Sequence, residues 1–242
     1  MMKEGLLTGC IILLMAGQVF SQMERQRVAE HQVIEEMFWA PTLIGMSTVQ
    51  NLPAQNLNVT IMHNFGLLNN DMLENFFGMD FGATVRLGAD YGITDRWTLG
   101  IGRISPQKVY DFRTQYSIFR QNDSEMVPMS LSLKAALGIN TRENGFTFRE
   151  RLDYFGSVMI ARKFNEHLSV QVSPMVSYFN RVFVGQENFH FAIGLGAEYR
   201  LNERWALMSE YYPIFGKRSN GTFNAFAAGV NIETGGHVFQ LF

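Results

Sequence analysis

Chemistry in this chain would have to be built from five histidines, one cysteine and a scatter of serines, glycines and charges. His31, His63, His167, His190 and His237 show none of the i, i+2 or i, i+4 spacing that lets two imidazoles share a metal from one element. Only the fold decides whether His63 and His190 meet. Ser, His and Asn are present, but no nucleophile elbow ties a nucleophile to a base and an orienting group. Gly100-Ile101-Gly102 and Gly194-Leu195-Gly196 follow a period of two, unlike the phosphate loop between a strand and a helix. They read as signs of a crowded interior or a bend. No metal, cofactor or catalytic residue follows, and no enzyme is expected.

What remains is a set of charges at alternate positions: Asp80, Arg86, Asp90, Arg113, Lys134, Asp153, Glu198, Arg200 and Glu210. Gathered on the inner face of a sheet, their mixed signs would tune the selectivity of a lumen or cross-link to close it. A packed salt-bridge network that merely satisfies buried charge is the equal alternative.

The elements that must position these charges are strands. From residue 55 onward the pattern has period two, as where Leu57, Val59 and Ile61 alternate with Asn58 and Thr60. Residues 79–91 show it most clearly, with Phe81, Ala83, Val85, Leu87, Ala89 and Tyr91 on one face. The same alternation recurs at 97–101, 110–119, 130–139, 152–160, 168–178, 190–200, 205–212, 225–232 and 237–242. With 57–63, eleven strands are expected. A slip of one residue would exchange the faces, so register is strongly specified.

A hairpin unit appears three times, at YGITDRWTLGIG (91–102), RKFNEHLSVQ (162–171) and YRLNERWALM (199–208). These are connections two, six and eight, so in a sequential antiparallel meander all three lie at one rim. Most odd-numbered connections are longer, matching a transmembrane barrel with short turns at one end and long loops at the other. The 12 residues from 80 to 91, rising roughly 3.3 Å each at about 40° tilt, cover the apolar band of about 25 Å. Tyr91, Trp97, Phe164, Tyr199 and Trp205 border the short turns, where a membrane surface favours amphipathic rings.

Alternation is indifferent to which face is wet. Composition decides: the polar face mixes charges with Gly and Ser, and the other is almost free of charge in ten strands. A uniformly apolar exterior would aggregate in water, so the apolar face is assigned to lipid. Formal net charge is −2, which invites no nucleic acid.

Residues 1–21 read as a signal peptide, with Lys3 in a short n-region, an apolar run over 6–16 and cleavage after Ser21. Cys10 would leave with it, and the mature chain would carry no thiol. Residues 22–54 form an N-terminal arm or plug segment. Within it, residues 38–49 are left open among an extended segment, a lumen plug and an extra edge strand. Residues 55–242 form the barrel.

Several motifs resemble a β-barrel domain family of Bacteroidota outer membranes, domain of unknown function number 5777. They are HNFG at 63–66, FFGMD at 76–80, YGITDRWTLGIGR at 91–103, IARKF at 160–164, LSVQVSP at 168–174, EYY at 210–212 and IETGGHVFQL at 232–241. The resemblance implies the outer membrane and carries over no activity or catalytic residue. The family usually has Arg where Asn64 stands, and further strands after GGHVFQL. By parity a strand returning to the turn rim is missing after the eleventh. Either the chain is truncated or residues 38–49 supply the closing partner.

The sequence reading is thus all-β: a transmembrane antiparallel up-and-down barrel of about 12 strands, polar face inward, with completeness at its C-terminus left open. The expected function is a passive pore or transport-associated channel for small polar solutes. The alternatives are a non-conducting structural or partner-binding barrel and, less favoured, a lipid-modifying enzyme. Expected partners are outer-membrane lipid and the barrel assembly machinery.

Overall fold

The computed structural model describes residues 32–34, 36–65, 73–74, 76, 80, 82–105, 107–124, 126–142, 145–216 and 223–242. The expected signal peptide, Cys10, His31 and most of the polar stretch up to residue 36 lie outside these residues.

Each alternating stretch of the sequence contains a strand. In order these are β1 Leu57–Asn64, β2 Thr84–Thr94, β3 Trp97–Ser105, β4 Val109–Phe119, β5 Ser130–Asn140 and β6 Leu152–Lys163. There follow β7 Leu168–Phe179, β8 Phe189–Arg200, β9 Trp205–Tyr212, β10 Ile214–Phe215, β11 Ala225–Glu233 and β12 Val238–Leu241. They form one antiparallel up-and-down sheet of 12 strands, in which each strand pairs with the next except that the two-residue β10 folds back on β8 and β9 passes to β11. Without β10 these are the eleven strands of the alternation.

The repeated hairpin owes two of its copies to asparagine. Asn165 Oδ1 accepts hydrogen bonds from the N–H groups of His167 and Leu168 (both 2.9 Å), and Asn202 Oδ1 accepts them from Arg204 and Trp205 (2.9 and 3.0 Å). Such a side chain replaces a backbone partner and fixes a tight turn. In the first copy Thr94 Oγ1 accepts from the Arg96 N–H, and Asp95 accepts from the N–H of Ala54. All three turns share one rim, the turn rim; the opposite end is the loop rim.

Faces sort as a membrane barrel requires. Leu57, Val59 and Ile61 are 64, 64 and 63% exposed, while inward Ser132, Gln171, Ser173 and Asn231 are 0% exposed. Tyr91, Trp97, Phe164, Tyr199 and Trp205 all stand exposed beside the turn rim. Polar in and apolar out is the reverse of a soluble domain, and the apolar band is solvated by lipid.

Two expectations are corrected. The strand assigned to residues 79–91 starts at Thr84, because Gly82 takes φ of +77°, a left-handed conformation that interrupts an extended run. Asp80 therefore lies ahead of β2 and is exposed rather than inward. Residues 38–49 do not supply a closing strand; they lie inside the sheet. β1 and β12 run in the same direction, as the ends of an eleven-strand meander must, and no antiparallel pairing joins them among the described residues. The sheet is not closed.

Lipid exposure gives a depth-dependent expectation. Leu195→Arg, near the middle of β8, should cost about 2–4 kcal/mol, and Leu57→Arg, at the turn rim, about 0–1 kcal/mol. Denaturant titration of vesicle-refolded protein measures both, and equal costs would contradict the assigned depth.

Candidate functional site

The apolar core of the described residues sits inside the lumen. Met37, Phe38, Leu43, Ile44, Met46 and Val49 pack against Met159 and Ala161 of β6 and Met208 of β9. Residues 37–50 are thus a plug, the second of the three forms left open for this segment. The chain enters at the turn rim, where the Ile34 N–H donates to Gln121 O (2.9 Å) in the β4–β5 connection. It bends at Gly45, with Thr42 bridged to Ser47, and returns to the same rim before β1.

A segment that belongs to no sheet leaves its backbone polar groups to be satisfied by something else. Here inward side chains do it. Glu210 accepts hydrogen bonds from the N–H groups of Ile44, Gly45 and Met46 (2.7, 3.0 and 2.9 Å) and from Tyr212 Oη (2.7 Å). Gln171 accepts from the Val49 N–H (2.7 Å) and donates to Ser47 O (2.8 Å). Ser132 and Ser169 donate to the carbonyls of Val49 and Met37 (both 2.6 Å). Gln115 donates to Thr48 O and Gln50 O, and Gln240 to Thr42 O and Leu43 O.

At the entrance Glu198, 1% exposed, accepts from the Trp39 N–H and from Asn231 Nδ2. Arg200 bridges Glu198 (3.4 Å) and Glu36 (3.1 Å) and lies over the Trp39 ring. Glu36 is largely exposed, so its ion pair contributes about 0–1 kcal/mol.

Toward the loop rim the sheet carries a second polar group. Arg113 pairs with Asp90 (2.8 Å) and with Asp111, and Arg86 pairs with Asp111 (2.9 Å). Lys134 donates to Ser47 Oγ of the plug. Gly100 and Gly102 of β3 make room for these side chains. A Cβ at Gly102 would lie 2.6 Å from both Arg86 and Asp111, and one at Gly100 would collide with Asp90. This is the crowded interior that the GxG spacing signalled. At Gly196 the crowding comes from the plug: a Cβ there would meet Leu43 at 2.5 Å and Met46 at 2.7 Å.

Of the nine charges singled out in sequence, Arg86, Asp90, Arg113 and Lys134 come together, and Glu198, Arg200 and Glu210 hold the plug. Asp153 stands apart at the loop rim, lining a cavity of about 950 Å³ with Phe179 and His190. Asp80 joins none of them. In the loop beside that cavity the Thr147 hydroxyl and N–H both donate to Glu150 (2.8 Å each), which holds this carboxyl below its ordinary pKa. The restraint is therefore complete at neutral pH and lost as pH falls through the lowered value.

Asp111 was missed, though it shares parity with Arg113. Gln171, Asn231 and Gln240 were missed because uncharged side chains raise no alarm in a polar face. Met159 and Met208 carried the overlooked signal: apolar residues at inward positions need something to cover them. No cluster of three potential metal ligands exists among the described residues. His63 stacks on Phe65, and His190 meets Phe179 edge-on.

The model of a family described as membrane bound beta barrel domain (DUF5777) matches residues 38–242, all but the first residue of the plug included. No protein of curated function and no solved structure is similar enough to this chain to match it.

Removing the carboxylate at the plug tip leaves three backbone donors without it, and each orphaned buried donor costs about 1–3 kcal/mol. Glu210→Ala should speed amide hydrogen exchange at Ile44, Gly45 and Met46 by about 30-fold or more, with little change at Val172 in β7. Unchanged exchange at the tip would contradict the anchoring role.

Proposed function

Since the chain belongs to the family of membrane bound beta barrel domains, we propose that it is an outer-membrane barrel sealed at rest by its own N-terminal plug. In this reading it is a structural or partner-binding barrel, exported by its leader and inserted by the barrel assembly machinery. The observation that carries the reading is the plug's bonding: side chains from β4, β5, β7, β8, β9 and β12 hold its backbone groups. A segment held so is part of the native state, and a lumen filled by protein does not conduct. Its loops, including those around the loop-rim cavity, are then the surface offered to partners.

A passive pore for small polar solutes is the second reading. A cavity of about 390 Å³ between plug and charged cluster favours it, because solute would have a place to reside once the plug moved.

Planar-bilayer recordings of the refolded protein separate the two. The native protein should be silent, and Glu198→Ala with Glu210→Ala should open steady single-channel conductance. Adding Arg86→Glu and Lys134→Glu to the opened barrel should raise its cation preference. Steady conductance through the native protein would overturn the seal.

A further inference from the structure

The cavity of about 390 Å³ falls in the size range of small-molecule sites and differs from one part of its wall to another. One part is charged. Three cations, Arg86, Arg113 and Lys134, face two carboxylates, Asp90 and Asp111. The two arginines bond those carboxylates directly. Lys134 does not: its ammonium has three donors, its bond among the described residues goes to the neutral Ser47 hydroxyl, and no carboxylate there lies within ion-pair distance. One positive charge is left in excess in a half-buried wall.

Another part of the wall is apolar, made of Ile44 and Met46 from the plug and Phe155, Met159 and Met175 from β6 and β7. Thioethers and a phenyl ring solvate hydrocarbon well and adapt to its shape, and they gain by shedding water. A single anionic head and an apolar body complement the two parts together. A dianion would exceed the charge to be balanced, and a cation would meet the excess with the wrong sign.

We propose that this chamber binds an amphipathic monocarboxylate, its carboxylate on Lys134 and its hydrocarbon against the Met and Phe wall. The proposal rests on the seal, since the plug supplies Ile44, Met46 and Ser47. Entry would be from the loop rim: Met62, Arg86, Ile104, Asp111 and Tyr212, which also line the chamber, lie in the loop-side halves of their strands.

The probe is octanoate labelled with ¹³C at the carboxyl, titrated into the refolded full chain in micelles, beside octanol and octylamine. Saturable one-site binding of octanoate is expected, weakened at least tenfold by Lys134→Met and unaffected by Asp80→Asn. Octanol and octylamine should show only micelle partitioning. In the unmodified protein octanoate should also slow labelling of Lys134 by an amine-reactive reagent, read by peptide mass spectrometry. Absence of saturable binding, equal binding by Lys134→Met or by octanol, or unslowed labelling would overturn the proposal. Such a result with a silent native bilayer counts against the chamber alone, whereas conductance through the native protein counts against the seal.

Discussion

The interior of this protein is organised by one requirement, that a segment of chain outside any sheet must still have its backbone hydrogen bonds made. Residues 37–50 meet it with borrowed groups. A glutamate accepts at the bend, a glutamine serves both a donor and an acceptor, and serines reach the carbonyls. A neighbouring strand would make such bonds in a regular ladder; separate side chains make them at scattered points. The inward polar residues that reach the plug are consequently placed by its conformation as much as by their own strands.

Apolar packing follows from that constraint. An inside-out sheet has no core of its own, since most of its large apolar side chains face lipid. The plug imports one. Phe38, Leu43 and Met46 cover Met159 and Met208, which would otherwise line a polar lumen, and Gly196 lets them approach closely. Glycine plays a different part beneath the charged cluster, where the missing side chains at Gly100 and Gly102 admit two guanidinium groups. Those groups neutralise Asp90 and Asp111 where lone charges would be costly. One type of residue thus makes room for hydrocarbon on β8 and for ions on β3.

Strand number, order and facing were legible because a period of two in a one-sided sheet admits a single register. Two of the three hairpins were legible for a local reason: Asn165 and Asn202 close their own turns with their own side chains. Asp80 was misplaced because the alternation ran on past Gly82, whose backbone conformation no pattern of hydrophobicity records. Asp111 was overlooked although its parity was in view. The inward charges were found as a class, but their division into a cluster and a set of plug anchors was not legible. Parity places a residue on a face and says nothing of what lies across the lumen from it.

The sequence by itself determined a β-meander with one apolar and one polar face, turns at one rim and loops at the other, because each of these is local in the chain. Only the tertiary structure decided what the polar face is for. Glu210 and Ile44 are separated by 166 residues and Gln171 and Val49 by 122. The plug has no period of its own to betray it. Its conformation is set by side chains from six distant strands, and those meet only when the sheet has curled around them.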